Sequence, residues 1–163
     1  MEKYEVLNRI KEILTNKNLS LSSAESCTGG LISSYLTDIS GSSTYIFQNF
    51  VTYSNAAKIK YLRVKEATLA EFGAVSEQTA YEMTQGLLLL SDCAIATTGI
   101  LGPTGGSAEK PIGLVYIGLG YKDKIKVIKY ISKKSCSNDR HKIKKDIVKY
   151  ALHMLLNFLE ESL

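Results

Sequence analysis

Ala24-Glu25-Ser26-Cys27-Thr28-Gly29-Gly30, residues 24–30, lies between a short alternating apolar run and an amphipathic helical pattern. Leu19, Leu21 and Ala24, with serines between them, read as a strand, and Leu31 to Leu36 reads as a helix. A strand that turns directly into a helix is the unit of an open α/β fold. Sites in such folds collect at the carboxyl ends of the strands, where the first N–H groups of a helix favour an anion. The turn places two candidate nucleophiles, Ser26 and Cys27, beside the carboxylate of Glu25. An ordinary turn, whose Ser and Thr cap the helix and whose glycine pair lets it pack closely, accounts for the same residues.

Upstream, Val6, Leu7, Ile10, Ile13 and Leu14 fall on one helical face of residues 4–16, and Asn16-Lys17-Asn18 ends that helix. Downstream, residues 38–43 form a polar turn before a second strand within residues 45–53, with Phe50-Val51-Thr52-Tyr53 as its core. Ser54 is placed to cap a short helix that carries Lys58 in its first turns. Residues 62–72 read as short helix and loop with Gly73 as the stop. Ser76 then caps a longer helix to about Leu90, with Ala80, Met83, Leu87 and Leu90 on its apolar face.

Cys93 to Thr98 has the pattern of a buried strand and runs into a glycine-rich loop, residues 99–107. That loop lacks the Gly-Lys-Ser/Thr of a P-loop and the spacing of a dinucleotide fingerprint. Residues 112–119 and 124–131 read as an antiparallel hairpin, and Asn138 or Ser137 caps a final helix to about Leu159. The pattern predicts a single domain: a three-layer α/β/α sandwich with a mixed, mostly parallel sheet of about five strands.

A chain of 163 residues, 45% hydrophobic and 22% charged, is long enough for one domain with a sizeable core and is not disordered in composition. The first dozen residues do not form a signal or transit peptide, and no apolar run approaches a membrane span, so a soluble cytoplasmic protein with no membrane partner is expected. Three widely separated cysteines, Cys27, Cys93 and Cys136, lack zinc-site spacing; reduced thiols and no structural metal are expected. Residues 122–149 hold 11 Lys or Arg against 3 Asp, so the net +4 of the chain gathers there. A basic stretch of this kind can meet a polyanion, but Tyr130 is its single aromatic residue and no series of stacking residues is interleaved with the charges; a solvated face is expected and no nucleic-acid partner.

Ser26 requires a base, because a serine hydroxyl is a weak nucleophile until its proton is removed. His141 and His153 are the only histidines, and both fall in the final helix. Lys58 stands just past the end of the second strand, on the side of the sheet that presents Ser26 if the two strands are parallel. A partly desolvated lysine has a lowered pKa and can serve as a base. A histidine-based triad through His141 is the alternative.

The residues now on the page resemble the CinA carboxy-terminal domain family, whose stand-alone members are nicotinamide mononucleotide deamidases. The likeness covers residues 24–30, Gly41-Ser42-Ser43, residues 50–55 with Lys58, Gly73-Ala74-Val75-Ser76-Glu77, Gly99-Ile100, Gly102-Pro103, Gly105-Gly106, Lys110-Pro111, Gly113 and Asp139-Arg140. It implies metal-independent and cofactor-independent hydrolysis of the carboxamide of nicotinamide mononucleotide, with Ser26 as nucleophile and Lys58 as base. Glu25, Thr28, Gly29, Gly30, Tyr53 and Thr98 would be substrate-binding residues, together with Gly99, Gly102, Gly105 and Gly106 of the loop, and Arg140 would neutralise the substrate phosphate. The resemblance also implies a homodimer. It further implies the absence of the amino-terminal molybdopterin-binding-like domain of longer relatives.

Two positions depart from the family pattern: Ala56 where an acidic residue is frequent, and Asn138 where a glycine is frequent. The first bears on the support of Lys58 and the second on how the chain enters the last helix. Two other functions fit the resemblance: a non-catalytic ligand-binding or interaction domain related to competence and damage-inducible proteins, and an amidase with a different small substrate.

Overall fold

In chain order the elements are α1 (Lys3–Asn16), β1 (Leu21–Glu25), α2 (Leu31–Thr37), β2 (Ile46–Val51), α3 (Asn55–Leu62), α4 (Glu66–Phe72), α5 (Glu77–Leu88), β3 (Cys93–Gly99), β4 (Leu114–Tyr121), β5 (Lys124–Ile131) and α6 (Arg140–Ser162). This structure, a computed structural model, describes residues 2–163. The strands form one sheet in the order β2-β1-β3-β4-β5. β1 pairs in parallel with both β2 and β3, while β4 is antiparallel to β3 and to β5. Four strands therefore point one way and only β4 runs against them.

Both sheet faces are covered, which is why β1 and β3 are buried almost end to end. The period-2 alternation of side chains sorts them between two cores. Cys93 and Ile95 of β3 and Val115, Ile117 and Leu119 of β4 face α1, α2 and α6; Ala94 and Ala96 face α5. The first core is built from large aliphatic residues, among them Leu7, Ile10, Leu14, Ile147 and Leu155, each wholly buried. Burying such a side chain stabilises the fold by about 1.5–3 kcal/mol. The second core is thin, because α5 lies directly on small residues. A Cβ on Gly118 of β4 would overlap Thr84 Oγ1 and come within 2.9 Å of the Ala80 carbonyl, so this helix sits where only glycine lets it sit.

Several boundaries differ from the sequence reading. Leu90 is 42% exposed, because α5 ends at Leu88 and the chain has already turned away from the core. The cap of α6 is Asp139, which accepts from the N–H groups of His141 and Lys142, rather than Ser137 or Asn138. Asn138 has φ +52°, a left-handed conformation that glycine adopts freely and asparagine tolerates; this explains how it stands where the family pattern has glycine. Lys124, Lys126 and Lys129 of β5 are exposed.

Gly118→Ala should lower stability by about 1–3 kcal/mol, because the added methyl must displace α5 or strain the core. Urea unfolding monitored by circular dichroism measures this; an unchanged midpoint would mean that α5 can move outward at no cost.

Candidate active site

The four strands that share a direction end at one edge of the sheet, and each delivers part of a cleft. Ser26 follows β1, Thr52 and Tyr53 follow β2, Thr98 and Gly99 close β3, and the segment after β5 leads to Arg140 at the start of α6. β1 lies between β2 and β3, so the chain leaves it toward one neighbour and returns on its other side. Such a reversal opens a crevice at the carboxyl ends of the strands. The cleft here has a volume of about 250 Å³, and Ser26, Tyr53, Lys58, Thr98 and Arg140 line it with Gly99, Gly102 and Gly105.

Lys58 is 1% exposed. Ser54 starts its helix by accepting from the Ala57 N–H, and the lysine stem then runs inward so that Nζ lies 3.0 Å from Ser26 Oγ. Nζ also donates to the carbonyls of Thr52, at 3.0 Å, and Tyr53, at 3.2 Å. Ala56 is exposed and takes no part in this arrangement; backbone carbonyls do the supporting. Burial pushes the Lys58 pKa below the ordinary 10.5, partly offset by the neighbouring Cys27 sulfur. With both carbonyls occupied by amine protons, a neutral Nζ has its lone pair left for the Ser26 hydroxyl.

Ser26 is 9% exposed and held by its own N–H, which donates to the Thr97 carbonyl. Cys27 next to it lines the cleft, but burial raises its pKa to about 12, and a protonated thiol is a poor nucleophile. His141 and His153 are not among the cleft residues, so a histidine triad has no geometric basis.

Glu25 occupies a different position from the one expected of a ligand-binding residue. It is wholly buried, and its carboxylate accepts from the N–H groups of Gly30 and Ile32 at 3.0 Å, from the Ser33 N–H at 2.7 Å and from the Ser33 hydroxyl at 2.8 Å. The anion favoured by the start of α2 is thus the protein's own. Residues 27–30 are turn and the helix begins only at Leu31, with no side-chain cap from Ser or Thr. The Gly29 N–H donates to the Ser26 carbonyl and the Leu31 N–H to that of Thr28. The Gly30 N–H goes to the Glu25 carboxylate, so among the described residues the N–H groups of Cys27 and Thr28 are the donors of this turn left without an acceptor. Thr28 is also buried, with its hydroxyl 2.8 Å from that of Thr97. Glu25, Thr28, Gly29, Gly30 and Gly106 do not line the cleft; the first four build the turn that presents Ser26.

The rim belongs to Arg140. Its guanidinium donates to the Gly102 carbonyl at 2.8 Å and to the Tyr53 hydroxyl at 3.1 Å, joining the glycine loop to the end of β2. Gly102 has φ +74°, and a Cβ there would meet Ile112 at 2.6 Å, so the loop needs glycine to turn its carbonyl toward Arg140. Thr98 Oγ1 donates to the Ala74 carbonyl and secures the opposite wall. Ile100, Leu101 and Thr104 of the glycine-rich loop complete the lining with Ala74 and Val75, the two to which the sequence reading assigned no role, because small apolar residues carry no chemical signature. Among the described residues no three His, Cys, Asp or Glu side chains gather as metal ligands, and no helix is long and apolar enough to cross a membrane.

Fold and cleft together define an α/β/α domain with a buried serine–lysine pair at the carboxyl edge of its parallel strands. The chain belongs to the CinA C-terminal domain family, whose model matches residues 3–159. It is 46% identical to a CinA-like protein of Fusobacterium nucleatum over 98% of this chain and 37% of that protein. A putative competence-damage inducible protein of Caldicellulosiruptor saccharolyticus is 47% identical over 90% of this chain and 35% of that one. The chain thus spans about a third of the length of these relatives. Among solved structures, competence/damage inducible protein CihA from Agrobacterium tumefaciens superposes with TM-score 0.88 at 44% identity, covering 95% of both chains. Competence damage-inducible protein A from Klebsiella pneumoniae gives 0.91 at 29% identity, covering 100% of both.

The buried amine makes stability depend on pH. The unfolded chain holds Lys58 near the ordinary 10.5 and the fold holds it lower, so between the two values the unfolded chain binds more protons. Stability therefore rises with pH through that window and is lowest below it. Urea midpoints of the native protein should climb relative to those of Lys58→Met as pH rises toward the ordinary lysine value of 10.5, across a range that starts at neutral pH. A constant difference across that range would show that the amine is not desolvated.

Proposed function

We propose that this domain is a metal-independent amidohydrolase that converts nicotinamide mononucleotide to nicotinic acid mononucleotide and ammonia, a reaction of pyridine nucleotide salvage. The observation that supports it most is the 3.0 Å contact of a buried lysine amine with a serine hydroxyl at the floor of a cleft rimmed by Arg140. A lysine held in this way is costly to bury, and a module that only binds has no use for a nucleophile already in contact with its base.

In this reading neutral Lys58 takes the Ser26 proton as Oγ attacks the carboxamide carbon. The N–H groups of Cys27 and Thr28 are the candidate donors for the oxyanion. Collapse of the adduct breaks the C–N bond, and Lys58 returns the proton to the nitrogen, which departs as ammonia. A water molecule then gives its proton to Lys58 and attacks the acyl-serine, releasing the carboxylate and restoring Ser26. Arg140 pairs with the substrate phosphate through its forked donors. Because the base must be neutral, the rate should rise with pH toward a plateau reached below the ordinary lysine value.

Ammonia release from nicotinamide mononucleotide by the purified protein tests this directly. Ser26→Ala should lose well over tenfold, more than about 1.4 kcal/mol of barrier, whereas Cys27→Ala should retain most activity. Lys58→Arg should fail nearly as badly as Lys58→Ala, since guanidinium cannot accept the proton; an active Lys58→Arg enzyme would reduce position 58 to an electrostatic role.

Arg140→Ala should raise KM for the nucleotide roughly ten- to a hundredfold, the worth of one charge-assisted contact of about 1.5–3 kcal/mol. Hydrolysis of the phosphate-free riboside should change little. Equal effects on nucleotide and riboside would remove the phosphate assignment.

A further inference from the structure

We propose that the hollow bordered by α1, α2 and α6 is a binding site for a small phosphate monoester with an apolar body, separate from the cleft and independent of what the cleft hydrolyses. Its volume is about 180 Å³. Val6 of α1, Leu152 of α6 and the half-buried Tyr35 of α2 supply apolar surface, and Lys145, Lys149 and His153 of α6 supply a polar wall. None of these residues lines the cleft.

The three polar residues fall at i, i+4 and i+8, so they follow one another along a single face of α6. Lys145 and Lys149 repel each other at that spacing, and among the described residues neither forms an ion pair. Glu2 is the single carboxylate on the lining and pairs with neither; Asp146, beside Lys145 in the chain, accepts from the Tyr130 and Ser132 hydroxyls and the Lys133 N–H. Lys3, the remaining cation of the lining, is held by Asp38 at 2.6 Å and lies 3.8 Å from the centre of the Tyr35 ring. The order of charge along α6, with Arg140, Lys142, Lys144 and Lys145 at its start and Glu160 and Glu161 near its end, is the reverse of the order that stabilises a helix. Helix stability therefore does not account for the row.

A phosphate monoester answers this chemistry. It carries nearly two negative charges at neutral pH and three strong acceptor oxygens, enough for both ammonium groups and the imidazole. His153 Nδ1 lies 2.8 Å from the Lys149 carbonyl; a carbonyl only accepts, so Nδ1 carries the proton and Nε2 is the ring nitrogen left for a ligand. Bound phosphate would turn the repulsion between Lys145 and Lys149 into shared attraction. The hollow is smaller than the roughly 300–1,000 Å³ of sites for drug-sized ligands, so Val6, Leu152 and Tyr35 can cover a body of about one ring.

Titration of the full chain with phenyl phosphate, followed by amide-resolved NMR, tests the site. Amides around Val6, Lys145, Lys149 and His153 should shift together and saturate. Lys145→Gln and Lys149→Gln, both at exposed positions, should each weaken binding about tenfold with an unchanged circular dichroism spectrum. Lys129→Gln, an exposed lysine of β5 outside the hollow, should bind as the native protein does. Arg140→Ala should keep the same shifts, which separates the hollow from any phosphate held in the cleft. Inorganic phosphate, with no body to cover Val6 and Leu152, should bind more weakly. Shifts that do not saturate by about 10 mM phenyl phosphate would overturn the proposal. So would an equal loss in Lys129→Gln, loss of the shifts in Arg140→Ala, or inorganic phosphate binding as tightly as the phenyl ester.

Discussion

Keeping a lysine amine out of water is the constraint around which the carboxyl edge of this domain is arranged. A buried ammonium is strongly disfavoured unless it is paired, and here no carboxylate pairs with Lys58; its partners are two carbonyls and one hydroxyl. Those partners come from three separate requirements of the fold. β2 must stop at Val51 so that the Thr52 and Tyr53 carbonyls turn inward. The Ser54 cap must start α3 at once, which places Lys58 one turn later. β1 must lie parallel to β2, so that Ser26 emerges at the same edge. A slip of one residue in any of the three would leave either the amine or the carbonyls without partners.

Glu25 solves the complementary problem on the other side of Ser26. A carboxylate buried one residue before the candidate nucleophile would draw the Lys58 proton if it were free to reach it, but four hydrogen bonds commit it to the start of α2. This arrangement stiffens the turn, because residues 30, 32 and 33 are all tied to one side chain. It also reserves the anion-binding capacity of the helix for an internal group and leaves the Arg140 guanidinium as the charge at the far rim. The charges of the site are thereby separated: a carboxylate sealed beneath the turn, an amine at the floor and a guanidinium at the mouth.

The two faces of the sheet show how packing serves this edge. Large aliphatic residues on the α1, α2 and α6 side make a thick core that carries most of the burial. On the α5 side Ala94, Ala96, Gly118 and Gly120 bring the helix close to the sheet. Gly86 of α5 in turn allows the backbone at Leu62, the end of the Lys58 helix, to approach it closely. α3 is thus located both by this close backbone approach and by the buried Leu62 side chain, which packs in one cluster with Met83 and Leu87 of α5.

The sequence by itself determined the order and type of the elements, because apolar periodicity and cap residues such as Ser54 and Ser76 act over a few residues and need no tertiary partner. It also brought out candidate residues: Ser26 and Lys58 by type and by position just past strand ends, and Arg140 through the family resemblance. Tertiary structure decided what lies between those residues. That Glu25 caps α2 instead of lining the cleft depends on a carboxylate reaching N–H groups five to eight positions later, which no local pattern reports. That the Thr52, Tyr53 and Gly102 carbonyls hold Lys58 and Arg140 is a property of backbone direction, which any residue type could supply. The single reversed strand and the central place of β1 likewise followed from strand pairing, a choice made between segments far apart in the chain, where only the packed whole distinguishes one order from another.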